Sequence, residues 1–343
     1  MTKNLIDITH YRQQKIIDLK KILQPIYQGE IEFTWVGENS RRKITLQIDN
    51  KNNLGFFQEK THDLIEINDY SLATINIQKI LLKLKDFIKT QEQNLFSQIV
   101  ISDFDNGLEL IFKSKFKNKR AINFSQNQQL LKFAKDNDIN VSIAIDQQKI
   151  EPIFIARINQ ISIANLNLKI TGEVFLQATK LGLETIIDFI KKNIINDSNI
   201  ADLYSGCGFY ALSIAKFAKK IEAFEGENSM VEIINNNSKN LQLNHKVKGF
   251  CRDLFISPLS TRELKKYQTI IINPPRSGAK AQIKQIANCT DCQKLIYVSC
   301  NPQTFLSDAK IVIERYFKLT KIIAIDQFFL TKHLEVVAVF EKI

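Results

Sequence analysis

From residue 200 onward, short apolar runs alternate with segments in which apolar residues recur every three or four positions. The runs at 200–204, 221–225, 247–251, 269–273, 295–299, 319–326 and 335–341 have the length and branched side chains of buried strands. The stretches 210–217, 229–241, 280–288 and 303–316 have the helical period. This alternation predicts an α/β, doubly wound sheet with crossover helices, seven strands in all. Only residues 327–334 separate the last two strands, too few for a crossover helix, so the final strand is expected to run antiparallel in a mixed sheet.

The first half has a different pattern. Residues 5–24 read as an amphipathic helix and 31–67 as a meander, with strict alternation at 44–48 and turn residues at 50–55. Mixed segments follow, including apolar runs at 108–112 and 140–145. The expectation is an α+β domain over 1–178 built around an antiparallel sheet, then the α/β domain over 179–343, with the boundary near Gly182.

Composition adds a partner class. With 343 residues, 44% of them hydrophobic, the chain has enough apolar material for one large or two ordinary cores. The 47 Lys and Arg exceed the 36 Asp and Glu, a net charge of +11 that favours a polyanion, although a lysine-rich solvated surface gives the same count. Five cysteines form no even framework, and no signal peptide or long apolar span is visible, so the cytoplasm is the expected compartment. Cys289-x-x-Cys292 lacks further ligands nearby for zinc and is read as structural.

The candidate chemistry gathers at one sheet edge. Cys300 follows the 295–299 strand directly and precedes Pro302, which suits the first position of a helix. Ligands of open α/β sheets bind beyond the carboxyl ends of such strands. An antiparallel last strand begins at that same edge, which puts its first residue, Glu335, near Cys300; a surface glutamate opening an edge strand fits the same pattern. Residues 202–208, Asp-Leu-Tyr-Ser-Gly-Cys-Gly, form a nucleotide-type loop between strand and helix. Ala211 stands where a dinucleotide fingerprint has its third glycine, which disfavours NAD. Glu225 ends the next strand, where a carboxylate accepts ribose hydroxyls, and Asp253 follows the third, where it can accept from an adenine amino group. The ordered trio suits S-adenosylmethionine. A cysteine and a carboxylate on opposite sides of one ring are what methylation of a pyrimidine C5 needs. The thiolate adds to C6 and activates C5, and the carboxylate then removes the C5 proton.

These residues resemble the S-adenosylmethionine-dependent RNA uracil-5-methyltransferases that act on ribosomal and transfer RNA. The matching pieces are Phe-Leu-Gln at 175–177, the loop at 202–208, Glu225-Gly226, Asn-Pro-Pro-Arg-Ser-Gly at 273–278, Ser-Cys-Asn-Pro at 299–302 and His-Leu-Glu at 333–335. In the first half the Tyr11 to Lys15, Ser40 to Lys43, Leu54 to Phe56 and Thr61-His62 pieces fall in the family's order, so nearly the whole chain is covered. The resemblance implies a Rossmann-like class I methyltransferase domain, Cys300 as nucleophile and Glu335 as proton acceptor. It implies Gln177, Tyr204, Gly206, Glu225, Asp253 and Asn273 as cofactor-binding positions.

The chain also departs from the family. It has no room before Tyr11 for the small RNA-binding barrel that members often carry. No cysteine precedes Cys207 and Tyr70 stands at the last ligand position of the usual iron–sulfur cluster, so neither that cluster nor a metal is expected. RNA selection then falls to basic residues of the first half such as Arg41, Arg42, Lys43, Lys113, Lys115, Lys117, Lys119 and Arg120. Phe209 replaces a usual asparagine, and Asn273 replaces the usual aspartate, which removes a negative charge from the site. The expectation is a monomeric RNA methyltransferase of rRNA or tRNA. Two alternatives are an RNA-binding paralogue with impaired turnover and an amino-group methyltransferase using Asn-Pro-Pro, the latter weakened by Arg276 in the aromatic position and by an idle Cys300 and Glu335.

Overall fold

A computed structural model describes residues 7–58, 61, 63–67, 69–114, 122–144, 150–171 and 173–343. The chain divides into two compact units, one made of the segment ending at Val36 together with Leu181–Ile343, the other of Gly37–Lys180.

The first unit starts with α1 (Ile8–Leu23) and β1 (Ile31–Trp35). Asp7 caps α1 by accepting from the backbone N–H groups of Thr9 and His10. The second unit contains β2 (Lys43–Ile48), β3 (Leu54–Phe57), β4 (Leu64–Glu66), α2 (Ile75–Lys89), β5 (Phe96–Phe104), β6 (Gly107–Ser114), α3 (Phe124–Asn137), β7 (Asn140–Ala144), β8 (Ile150–Phe154), β9 (Asn159–Ile163) and β10 (Leu166–Ile170). Its main sheet runs β4-β3-β2-β5-β6-β7-β8 and is antiparallel except for the β6–β7 pair, which α3 connects as a crossover. The apolar stripe Ile77, Ile80, Leu81, Leu84 and Ile88 of α2 is buried in the core of this unit. The α3 helix opens with a capping box between Asn123 and Gln126 and closes on Asp138 in the left-handed conformation.

The first unit resumes with α4 (Lys180–Asn193), β11 (Asn199–Leu203), α5 (Phe209–Ile214), a 3-10 turn at Ala215–Phe217, β12 (Lys220–Glu225), α6 (Asn228–Asn240) and β13 (Val247–Cys251). It ends with α7 (Thr261–Leu264), β14 (Thr269–Ile272), α8 (Lys280–Ala287), β15 (Lys294–Ser299), α9 (Pro302–Ile313), β16 (Phe317–Asp326) and β17 (Glu335–Lys342). The strands follow the order β1-β16-β17-β15-β14-β11-β12-β13. All pairs are parallel except those of β17, which runs antiparallel to both β15 and β16, as the short 327–334 connection requires. Every residue of β14 is buried, and β15 is buried from Leu295 to Ser299, which is why these strands read as continuous apolar runs rather than alternating ones.

The sheet has eight strands where seven were expected. The expected meander loses its first strand, because Ile31–Trp35 pairs in parallel with Ile322–Asp326 and extends the α/β sheet. Residues 7–36, read as part of the first domain, therefore fold with the last half of the chain. The cause is apolar burial: Leu19 and Leu23 of α1 are 2% and 0% exposed in the same core as Tyr297, Phe305, Phe317 and Phe340. Burying each leucine is worth about 1.5–3 kcal/mol, and α1 alone is marginal in water. Among the described residues no helix is long and apolar enough to cross a membrane. Leu23→Ala should destabilise this unit by about 2–5 kcal/mol, read as a lower urea midpoint; an unchanged midpoint would show that α1 is not part of its core.

Candidate active site

Strand order reverses between β11 and β14, the position where open α/β sheets bind ligands beyond their strand ends. The 202–208 loop and Asn273 sit there, joined by the Asn273 N–H donating to the Leu203 carbonyl at 3.2 Å. The loop needs unusual backbone: Tyr204, Gly206 and Gly208 all have positive φ, at 57°, 53° and 74°. At Gly208 a Cβ would come within 2.8 Å of the Ile234 side chain, whereas at Gly206 it would meet nothing within 4 Å, so the chain is open toward a ligand there.

Backbone amides hold the Glu225 carboxylate. Gly206 N donates to Oε2 at 2.9 Å, and Gly226 N and Glu227 N donate to Oε1 at 2.7 and 3.1 Å. Asp253 Oδ1 accepts from Phe255 N at 2.8 Å and Ile256 N at 3.3 Å, and the Tyr204 ring lies 5.2 Å from that of Phe255. Burial, and then the charge of Asp253, pushes the Tyr204 phenol up, so it stays protonated. Asp202 is fully buried, and only its Oδ2 has a partner, the Ala211 N–H at 3.2 Å. Its Oδ1 is buried without one, and burial above all raises its pKa to about 7. An open glycine, an acceptor waiting for a donor and two oriented carboxylates fit a small polar cofactor. Asn273 Nδ2 reaches the Tyr210 hydroxyl at 3.4 Å, and Phe209 is buried at the start of α5. Gln177 is buried in the Gly37–Lys180 unit.

The second half of the site is set by the β15–β17 ladder. Ser299 pairs with Val336, so Cys300 and Glu335 are the next residues out on two adjacent antiparallel strands. Pro302 opens α9, and the Asn301 side chain caps it by accepting from Gln303 N at 3.1 Å. Cys300 is half-buried; burial, then the Glu335 charge, raises its pKa, while the positive charge of Arg276 opposes both. Glu335 is 2% exposed, and burial lifts its carboxyl from the usual 4.5 to about 7 against the pull of Gln327 and Arg276. Gln327 Nε2 donates to Glu335 Oε2 at 2.9 Å. Arg276 thus acts on both groups.

Sequence reasoning did not single out the residues that hold these groups. Asp308, buried inside α9, accepts from the Tyr297 hydroxyl at 2.7 Å and from Ala279 N at 2.9 Å, which ties the 273–278 turn to the α9 helix. Gly278 has φ 78°, and a Cβ there would stand 2.9 Å from Asp308 Oδ2. Asp308 and Gln327 looked like ordinary polar helix and loop residues, and no local pattern marks a buried one.

The basic residues expected to meet RNA are largely committed elsewhere. Arg42 is 4% exposed and bonds the Asp103 carbonyl and Asp105, Arg41 donates to Tyr70, Lys43 to the Val174 carbonyl, and Lys113 pairs with Glu173. Arg42 is therefore a structural cation rather than an RNA contact. Lys115, Lys117, Lys119, Arg120 and His62 lie outside the described residues. Cys289 and Cys292 are both buried in the core.

The family model described as tRNA (uracil-5-)-methyltransferase matches residues 7–343. The chain belongs to that family. A relative from Zymomonas mobilis, named an uncharacterised RNA methyltransferase, is 30% identical over 88% of this chain and 75% of its own length. The 23S rRNA (uracil(1939)-C(5))-methyltransferase RlmD of Histophilus somni is 25% identical over 93% of this chain and 72% of its own. Among solved structures, the Pyrococcus abyssi tRNA (uracil-54, C5)-methyltransferase in complex with S-adenosyl-L-homocysteine shares the fold with a TM-score of 0.72, at 20% identity over 96% of this chain and 82% of that one. Family membership supports RNA uracil-5-methyltransferase activity with S-adenosylmethionine, in agreement with the fold and enzyme class expected from the sequence.

A raised Glu335 carboxyl has a measurable consequence. The folded chain binds this proton more tightly than the unfolded chain, so its contribution to stability is full below about 4.5 and is lost as pH rises through about 7. Carboxyl-carbon NMR should show Glu335 titrating near 7, and Glu335→Gln should gain on the order of 3 kcal/mol relative to the wild type at pH 8.5 but little at pH 4. A midpoint in the ordinary carboxylate range would refute the buried assignment.

Proposed function

We propose that this protein methylates C5 of a uridine in ribosomal or transfer RNA through a covalent adduct on Cys300, with Glu335 as the base that resolves it. The observation that carries the reading is the antiparallel register next to Ser299 and Val336, which brings a half-buried thiol beside a buried carboxylate under one arginine.

Bound S-adenosylmethionine supplies an electrophilic methyl group, and Tyr204, Gly206, Glu225, Asp253 and Asn273 of this unit are the residues proposed to hold it. Glu225 and Asp253, already oriented by backbone N–H donors, accept from ribose and adenine. The Cys300 thiolate adds to C6 of the uracil; the S–C6 bond forms and the C5=C6 electrons move into the ring enolate, which makes C5 nucleophilic. Once C5 carries its methyl group, the Glu335 carboxylate takes the C5 proton, the C5=C6 bond re-forms and the S–C6 bond breaks. Arg276 opposes, without cancelling, what burial and the Glu335 charge do to the thiol, and so limits the rise in its pKa. A uracil reaches this edge only from a loop or after leaving its stack, so a single-stranded region of structured RNA is the substrate. The protein acts as a monomer.

The test is transfer of a labelled methyl group to unmodified rRNA and tRNA transcripts with identification of the product nucleoside. 5-Methyluridine is the expected product; a methylated amino base would move the assignment to Asn273-Pro-Pro chemistry, and RNA binding without product would mark a paralogue that has lost turnover. Cys300→Ala should abolish transfer while RNA still binds, and Glu335→Gln should accumulate the protein–RNA adduct on a denaturing gel. Both Cys300 and Glu335 act in ionised form, so turnover should climb with pH through about 7 as the carboxyl ionises and go on climbing as the raised thiol does, and Arg276→Ala should displace that rise to higher pH with about a tenfold or greater loss at pH 7. An unshifted profile would remove Arg276 from the proposal.

A further inference from the structure

The Tyr11 to Lys15 piece matched the family's order but had no part in the chemistry above. In the fold its two end residues, one helical turn apart, reach the same buried carboxylate at the end of β16. Tyr11 Oη donates to Asp326 Oδ2 at 2.8 Å, and Lys15 Nζ donates to Asp326 Oδ1 at 2.5 Å. Lys15 Nζ also donates to the His333 carbonyl at 2.9 Å, and the Tyr11 oxygen accepts from Leu330 N at 3.0 Å while its ring meets Phe329 edge-on at 5.5 Å. One turn of α1 therefore grips the 327–334 connection at its start, middle and end. Gln327, which orients Glu335, directly follows the gripped Asp326, and Glu335 follows the gripped His333 by two residues.

Anchoring α1 does not need these polar groups. Leu19 and Leu23 already bury one face of the helix in the core, and taking a cation and a carboxylate out of water carries a desolvation cost that an apolar contact avoids. What the polar clamp adds is a defined geometry for the connection and for both residues beside it. We infer that Tyr11 and Lys15 are positioning residues that hold Glu335, through Asp326 and Gln327, at the angle needed to take the C5 proton. The inference rests on Glu335 being that base.

The experiment measures adduct fraction, single-turnover methylation and steady-state turnover on unmodified rRNA and tRNA transcripts for Lys15→Met, Lys15→Arg, Tyr11→Phe, Glu335→Gln and the Lys15→Met/Glu335→Gln pair. Misplacing a proton acceptor by a fraction of an ångström costs about ten- to a hundredfold. Lys15→Met should therefore lower kcat by that factor, leave the KM for S-adenosylmethionine within about twofold and raise the adduct fraction, as Glu335→Gln does. Lys15→Arg should recover part of the release rate, and the double variant should release no more slowly than Glu335→Gln alone, because both changes act on one step. Equal losses in adduct formation and turnover, or a normal release rate in Lys15→Met, would overturn the inference. If Lys15→Met does not fold, Tyr11→Phe, which removes only a hydroxyl, decides on the same readout. If Glu335→Gln itself fails to trap adduct, the base assignment falls and the positioning role falls with it; if Glu335→Gln traps and the α1 variants do not, only the positioning role is lost.

Discussion

The site depends on the insertion of one antiparallel strand, β17, between β15 and β16. A parallel strand there would start at the opposite edge of the sheet and carry Glu335 away from the ligand-binding end. Because β17 runs backward, its first residue lies where β15 delivers Cys300, and the β15–β17 ladder keeps one register from Lys294 to Ser299. A slip of one residue would turn Glu335 to the other face. Such a slip would also bury Lys342 or Glu341 in place of the apolar run Val336 to Phe340, which is covered on both faces.

The register has an electrostatic cost. Burial shifts both the thiol and the carboxyl upward, and the Glu335 charge raises the thiol further. Arg276 on the 273–278 turn counters both shifts with one charge. Its turn is held by Asp308, which also takes the Tyr297 hydroxyl, so the arginine's position depends on a hydrogen-bonded link between β15 and α9 rather than on the exposed turn.

Along the chain, residues 37–180 are inserted between α1–β1 and the later segments of the unit to which α1 and β1 belong. The ends of the chain are thus parts of one core, and the N-terminal helix supports the strand pair that carries Glu335. Unit 37–180 closes its own core under α2 and α3, and its described cations are largely engaged in internal contacts.

The strand–helix alternation after residue 200, the backward last strand, the glycine loop and the helix opening at Pro302 were all legible in the sequence, because each follows from local periodicity or from a connection too short for the alternative. Cys300 and Glu335 could be paired on that basis alone, since topology dictates which edge each occupies. The destination of α1 and β1 could not be read, because an amphipathic helix and a short strand are compatible with any core that offers an apolar face, and only packing selected the distant one. Nor could the sequence tell Arg42 buried against Asp105 from a solvated arginine, or show that Gln327 meets Glu335, that Asp308 meets Tyr297 and Ala279, and that Tyr11 and Lys15 meet Asp326. Those contacts join residues up to 319 positions apart, and a hydrogen bond across such a separation leaves no periodic trace in the chain.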